Sequence, residues 1–493
     1  RAYLADDAGL GKTLQIIWVL SFLYVNNEID SIFLVIRHGL SYNWKKEFLE
    51  FSNIFKEEDF LIIFNENKIT PFEYNTNKKI VIIPNHLLAD VFASYRSDYK
   101  KGSKLSKLRW NKHFFDLFIK WNKKDIALVV DEAHELKNTS ALRTKALFAH
   151  KSFFKYRYLL SATPAINYFE DWWAGMNLID KSIIPFSENA FKIYISKDIG
   201  NKWSMFSINS YNERHINDIR NRFSNYVLKR LKKDLEEVKT KQIIKPIYLS
   251  MTPKLQHLYD SFINNEILQL KKDYDKITFR LIIQKFPYIL QIIDNAELLQ
   301  NKVVNPEVNK LLEKWKFTDD PRYEYVKFAL KEYIENLNEK VIIFDNHPKT
   351  LNSLAELFKQ YNPIVIHGQQ KDKDIDRQEK QNLFNDKKSK YKLFLLSTQI
   401  GGAGLNLHYA CRRIIFYTLP YDATLLRQAQ DRIYRITSEQ DSIVEMLIFD
   451  HSIDNIRYKR NINRIILNDE ILNKGLTEED IKAIFSGSNI TNK

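Results

Sequence analysis

The residues able to do chemistry begin almost at the start of the chain. Asp6-Asp7-Ala8-Gly9-Leu10-Gly11-Lys12-Thr13 is a glycine-rich turn that ends in Lys-Thr and runs into the apolar, helix-like segment Leu14 to Val19. Backbone N–H groups of such a turn, around Gly9 and Gly11, can wrap a phosphate chain. Lys12 then supplies a point charge to the terminal phosphates, and the Thr13 hydroxyl takes a position on Mg²⁺. The strict pattern has Gly where this chain has Asp6, so the turn alone is also compatible with an ordinary loop feeding a core helix.

A second constellation follows much later. Ile126-Ala127-Leu128-Val129-Val130 reads as a buried strand and delivers Asp131-Glu132-Ala133-His134 at its C-terminal end. Two adjacent carboxylates there match a nucleotide-hydrolysing site. Asp131 is placed to hold Mg²⁺ through water, and Glu132 to orient and deprotonate the attacking water. Together with the phosphate turn they point to ATP or another nucleoside triphosphate. A further strand, Tyr158-Leu159-Leu160, ends in Ser161-Ala162-Thr163, whose hydroxyls can hydrogen-bond the carboxylate motif.

The second half contributes no phosphate turn of its own. Gly401-Gly402-Ala403-Gly404-Leu405-Asn406-Leu407 is small and flexible, suited to close approach by a ligand. Gln428 to Arg435 reads as a helix in which Gln428, Arg432 and Arg435 stand four and three residues apart, on one side. Two arginines there can clamp a γ-phosphate and the charge that develops in its transfer, provided that face meets the phosphate turn.

Elements must exist to position these groups. Apolar runs at Ile32–Ile36, Lys79–Ile83, Lys340–Phe344, Ile364–Ile366 and Leu393–Leu396 read as buried strands, each ending in polar residues and several followed by a helix. The recurrence predicts an α/β protein with two lobes built on parallel sheets. Residues 1–165 would form the first lobe and 318–460 the second. Residues 166–317 would be helical protrusions and the connection between lobes, with Pro287 breaking or kinking the tract Ile277 to Leu298. Residues 461–493 would be a helical tail.

Composition narrows the class. The 493 residues, 44% apolar, suffice for two full cores. The single cysteine, Cys411, excludes an intramolecular disulfide and a multi-cysteine zinc site, which makes a reducing intracellular compartment the expectation: the nucleus in a eukaryote, the cytoplasm in a bacterium or virus. The longest apolar run, Leu14 to Tyr24, is too short and too interrupted to span a bilayer, so no membrane partner is expected. A net charge of +14 favours a polyanion, though the richness in Lys, Asn and Ile could equally reflect an AT-rich coding sequence. The basic stretch 98–124 reads as a solvated helix face or as a surface for a nucleic-acid backbone.

Taken in order, Ala5 to Thr13, Asp131 to His134 continuing to Asn138, Gly401 to Leu407 and Gln428 to Arg435 resemble the helicase-like ATPase core of the Swi/Snf family, double-stranded DNA translocases of superfamily 2. Tyr226 to Lys232 followed by Met251 to Tyr259 resembles the family's basic segment and the start of its second helical insertion. The resemblance runs to about residue 460. It implies two RecA-like lobes and a monomeric motor core that uses ATP and Mg²⁺ to move along duplex DNA and displace or remodel DNA-bound protein. It also implies that Lys12, Thr13, Asp131 and Glu132 form the first-lobe ATPase site, that Arg432 and Arg435 form the second-lobe arginine pair, with Arg435 the finger, and that Gly404 and Gln428 couple nucleotide to lobe closure. The DNA-tracking surface would fall on Arg37, His38, Trp44, Asn85, His86, His347, Ser397 and Thr398.

Several positions depart from the family pattern. Asp7 stands where Glu is usual, Arg37 where a proline is common, Ala162 where Gly is frequent, and Thr437 to Gln440 replace a tighter Gly-Gln. The adenine-recognition segment that normally precedes the phosphate turn is not in the sequence, which reads as truncation. None of these removes a catalytic group. A strand-separating DNA or RNA helicase and a catalytically inactive nucleic-acid-binding scaffold are the alternatives.

Overall fold

The structure is a computed structural model that describes residues 1–493 except 38, 64–77, 89–92, 95–108, 111–124, 165–167, 200–207, 264–286, 301, 303–304, 371–373, 402–404 and 474–493. The chain divides into two compact units: Arg1–Glu236 form the bulk of the first and Glu237–Ile465 the second.

The first unit is built on a seven-stranded parallel sheet. In chain order its strands are β1 (Ala2–Leu4), β2 (Ser31–Ile36), β3 (Phe60–Ile62), β4 (Ile80–Pro84), β5 (Ile126–Val130), β6 (Phe154–Leu160) and β7 (Val227–Leu228), arranged β7-β1-β6-β5-β2-β4-β3. Strands such as SIFLVI and IALVV are apolar at every position or nearly so because both faces are covered. Phe33, Val35, Leu128 and Val130 join one core, while Ile32, Leu34, Ile36 and Val129 join the other. Parallel pairing in the registers Leu4 with Leu160, Val130 with Leu159 and Val35 with Val130 brings the C-terminal ends of β1, β2, β5 and β6 to one edge. Consequently the phosphate turn, Arg37, Asp131 and Ser161 all leave the sheet on the same side.

The second unit repeats the plan with six parallel strands: β8 (Gln242–Leu249), β9 (Val341–Asp345), β10 (Ile364–Ile366), β11 (Leu393–Ser397), β12 (Arg413–Phe416) and β13 (Ser442–Phe449), in the order β8-β13-β12-β9-β11-β10. Asn346, His347 and Thr398 follow strand ends at one edge, since Asp345 pairs in register with Ser397.

The stretch expected to be helical protrusion and connection thus gives a strand to each sheet, β7 and β8. The sequence QIIKPIYL hid β8 because Lys245 and Pro246 interrupt it, and both are tolerated on an edge strand. Residues 287–295 are helical from Pro287 onward, while 277–286 lie outside the described residues. Of the basic stretch 98–124, only Arg109 and Trp110 are described, as a short strand. Among the described residues no helix is long and apolar enough to cross a membrane.

Candidate active site

The phosphate turn links β1 to helix α1 (Lys12–Val25). Gly9 and Gly11 adopt φ of 83° and 73°, the left-handed region that a Cβ disfavours, and this lets the backbone double back before the helix. Gly11 is the N-cap and has no side chain to cap the first turn, whose N–H groups are suited to an anion. Lys12 Nζ donates to the carbonyl oxygens of Asp6 (2.7 Å) and Asp7 (3.1 Å). Burial brings its ammonium down to about 8, against the opposing charges of Glu132, Asp131 and Asp6. One lysine therefore feels both motifs.

Asp6, at the position where the strict pattern has Gly, is fully buried and holds a distant segment. The backbone N–H of Arg230 donates to its Oδ1 at 2.9 Å. The Arg230 guanidinium adds bonds to both carboxylate oxygens, Nε at 3.2 and 3.1 Å and Nη2 to Oδ2. Such a bidentate, charge-assisted contact is strong and directional. Asp7 Oδ2 accepts the N–H of Lys232 at 3.0 Å, and Lys229 Nζ lies 3.4 Å from its Oδ1. The basic segment after β7 is thereby fastened along the phosphate turn.

Asp131 and Glu132 emerge from β5 as expected. Asp131 Oδ1 accepts the N–H of Glu132 at 2.9 Å, and Oδ2 accepts the Trp44 indole N–H at 3.0 Å. Each carboxylate oxygen keeps a further acceptor direction, and with the Thr13 hydroxyl this is hard oxygen chemistry that suits Mg²⁺. Glu132 itself has φ 49° and ψ 48°, a left-handed conformation that costs a non-glycine residue about 1–2 kcal/mol. His134 Nδ1 lies 3.1 Å from Glu132 Oε2 and 2.9 Å from Ser161 Oγ, and Ser161 Oγ accepts the N–H of Thr163 at 3.1 Å. The link between the hydroxyl strand end and the carboxylate motif is therefore present, and it passes through His134.

The two carboxylates are driven apart in acidity. Burial raises Asp131, reinforced by the negative charge of Glu132. For Glu132 the upward push of burial is overcome by the hydrogen bond and charge of His134 and by the charges of Lys12 and Arg37, which hold it below the usual carboxylate range. Glu132 is the firmly ionised member of the pair.

Residues expected on a DNA-facing surface fare differently. His86 is exposed. Asn85 is buried and donates to Glu135, and Arg37 Nε is 3.7 Å from the same carboxylate. Trp44, on helix α2 (Ser41–Phe51), is only 2% exposed, with its indole committed to Asp131 and its ring packed near Phe48. It braces the carboxylate motif and is not a surface contact. His38 lies outside the described residues. In the second unit, His347 is partly exposed at the N-terminus of helix α3 (Pro348–Leu357), where its Nε2 is 3.1 Å from Asp294 Oδ2. Ser397 and Thr398 are buried, and Thr398 Oγ1 donates to Asn346 Oδ1 at 2.5 Å. Thr398 thereby joins the end of β11 to the tip after β9.

The arginine region corrects the helical reading. Helix α4 (Ala423–Gln430) includes Gln428 but ends before both arginines. Asp431 is its C-cap, and the chain then turns, with Arg432 N bonded to Ala429 O and Leu407 N to Arg432 O. Ser438 Oγ accepts from Arg435 N at 2.9 Å and donates to Ile433 O at 3.1 Å. Helical spacing therefore does not align Arg432 with Arg435; a serine-stapled turn positions them. Arg432 is largely buried, with Nη1 donating to Leu405 O at 3.1 Å, while Arg435 is half-buried. Gly404 lies outside the described residues.

With this geometry in place the chain can be compared with known proteins. The SNF2-related domain matches residues 2–297, and the helicase conserved C-terminal domain matches residues 325–437. The chain belongs to the SNF2-related family. It is 24% identical over 498 residues to transcription regulatory protein SNF2 of Saccharomyces cerevisiae, covering 96% of this chain and 26% of that protein. It is also 24% identical over 500 residues to nuclear protein STH1/NPS1 of the same yeast, with 96% and 33% covered. An uncharacterized ATP-dependent helicase of Mycoplasma pneumoniae is 24% identical over 494 residues, with 98% and 42% covered. The chain thus spans roughly a quarter to two-fifths of the length of these curated relatives. A solved Sulfolobus solfataricus SWI2/SNF2 ATPase core in complex with dsDNA is 21% identical, covering 98% of this chain and 92% of that one with a TM-score of 0.37. The SNF2-related match continues past Glu236 through β8 into the second unit.

Proposed function

We propose that this chain is the motor of a DNA-stimulated ATPase that translocates on double-stranded DNA and remodels or displaces DNA-bound protein. The reaction is in-line attack of water on the γ-phosphate of ATP, giving ADP and phosphate. Backbone groups around Gly9 and Gly11, with Lys12, hold the phosphates. Mg²⁺, taken up by the Thr13 hydroxyl and by Asp131 through water, would offset charge between the phosphates. Glu132 orients the attacking water and accepts its proton. Arg432 and Arg435 of the second unit stabilise the transferring group when the units close, and Gln428 and Gly404 couple that closure to nucleotide. Arg37, His38, His86 and His347 follow the duplex backbone, with Ser397 and Thr398 beneath the tip that carries His347.

The observation that carries this reading is the electrostatic union of Lys12 with Asp131 and Glu132 at one edge of a parallel sheet. ATP turnover with and without long duplex DNA tests it, alongside Glu132→Gln. Duplex DNA should accelerate the wild type, and the variant should lose turnover while still binding ATP. Strand release from blunt, tailed and RNA-containing duplexes separates a translocase from a strand-separating helicase, since a translocase is stimulated by long duplex but releases little strand.

A further inference from the structure

The ends of three neighbouring strands of the first unit meet on one carboxylate. Strand β2 lies between β5 and β4, with Val35 in register with Val130 and Ile36 with Pro84. Glu135 sits just beyond β5, in the short 3-10 helix Ala133–Lys137 whose N-cap is Glu132. Its Oε1 lies 3.7 Å from Nε of Arg37, the residue that follows β2. Its Oε2 accepts from the side-chain amide of Asn85, the residue that follows β4, and lies 3.5 Å from Nη1 of Arg143 on the helix Leu142–His150. Arg143 Nη2 also donates to the Glu135 carbonyl oxygen at 3.1 Å. Side chain and backbone of Glu135 are therefore both held. Its own N–H closes the turn onto the carbonyl oxygen of Glu132 at 3.0 Å.

We propose that Glu135 is a positioning residue for hydrolysis: its carboxylate pins the turn after β5 to the ends of β2 and β4 and so holds Glu132 in its left-handed conformation. The assignment rests on the ATPase reading above and deepens it. A left-handed glutamate, here at φ 49°, persists only where its surroundings over-determine it. Two guanidinium groups and an amide facing one carboxylate are such a surrounding, because charge-assisted contacts from three separate elements fix its direction. Glu132 is bonded through its own carbonyl to the residue so anchored. If that turn relaxed, the Glu132 peptide would rotate toward an ordinary conformation and carry the carboxylate off the attacking water. A misplacement of about 1 Å at a reacting centre costs on the order of a hundredfold.

Single-turnover ATP hydrolysis, read beside the affinity for a fluorescent ATP analogue, tests this. Glu135→Ala should lower the hydrolysis rate about tenfold or more while nucleotide affinity stays within about twofold, because the phosphate turn is left intact. Glu135→Gln keeps an acceptor oxygen for Asn85 and the guanidinium groups and should stay within about threefold of wild type. A residue that merely supports the fold would add its cost in any background, whereas one that acts through Glu132 adds little once that carboxylate is gone. Glu135→Ala placed on Glu132→Gln should therefore slow hydrolysis by less than about twofold further. Glu135→Asp keeps the charge but withdraws the carboxylate by one methylene; it should show the same split of rate from affinity at about threefold, and it decides the matter if the alanine variant does not fold. A rate for Glu135→Ala within about twofold of wild type, a loss of nucleotide affinity equal to the loss of rate, or the full penalty repeated on Glu132→Gln overturns the assignment. A wild-type chain that does not turn over ATP overturns the ATPase reading itself, so the two failures are distinguishable.

Discussion

The indole N–H of Trp44 donates to Asp131 Oδ2 at 3.0 Å, joining helix α2 to the end of β5 across 87 residues of sequence. A hydrogen bond to a buried carboxyl group is directional and costly to lose. Here it fixes the rotamer of the carboxylate that would face Mg²⁺. Trp44→Phe keeps the packing near Phe48 and removes only the donor. The expected loss is about 1.5 kcal/mol, about tenfold in ATP turnover if felt wholly in the transition state. The Mg²⁺ concentration needed for half-maximal rate should rise as well. Steady-state kinetics across a Mg²⁺ series check this, and unchanged kinetics would show that Asp131 is held well enough by its bond to Glu132 N–H.

The serine-stapled turn gives Arg435 a different environment from Arg432, which is mostly buried against Leu405. Arg435→Ala should therefore act on chemistry with little effect on folding, lowering kcat by about a thousandfold while ATP binding by the first unit persists. Arg432→Ala removes a buried donor from Leu405 O as well. It should lower both kcat and the thermal midpoint of unfolding, and thermal melts beside single-turnover hydrolysis separate the two effects.

In the second unit a buried charge network ties helix α5 (Ile453–Asn473) to the His347 tip. Arg457 Nη2 donates to Asp294 Oδ1 at 2.7 Å and to Asp454 Oδ1 at 2.6 Å, and Asp294 Oδ2 meets His347. Burial pushes Asp294 up, yet the Arg457 charge and the bonds from His347 and Arg457 outweigh it and hold it far below the usual range. Arg457→Met leaves two buried carboxylates without their cation and should destabilise by about 3 kcal/mol at neutral pH. A depressed folded-state pKa gives stability that is fully present above the unfolded value of ~3.9 and is lost as pH falls through the folded value. Without the cation the buried carboxylates of the variant take up protons at a higher pH than those of the wild type, so the gap in chemical denaturation should be widest at neutral pH and narrow progressively as pH falls.

Much of this architecture is legible in the sequence because parallel strands covered on both faces read as unbroken apolar runs. Ile126–Val130 and Ile364–Ile366 coincide with their predicted limits, and the two carboxylates follow the first as expected. What escapes notice depends on partners far away. Ser442–Phe449 carries Glu445 in mid-strand, which is acceptable only because the hydroxyls of Tyr325 and Tyr333 meet it inside the fold. The helix expected through Arg435 stops at Gln430 because the following turn finds bonds to Leu407 and Ser438 that periodicity cannot reveal. Trp44 reads as a surface aromatic until the fold shows Asp131 beside its nitrogen. Likewise Asp6 looks like a defect in the phosphate turn until Arg230, 224 residues later, is seen to need it.

The most direct measurement is ATP hydrolysis by the wild-type chain and by Glu132→Gln, each with and without long duplex DNA. The proposed motor should be stimulated by duplex DNA, and the variant should fall by about a hundredfold or more while retaining ATP binding. Wild-type turnover that ignores duplex DNA, or a variant that hydrolyses ATP as fast as the wild type, would contradict the account.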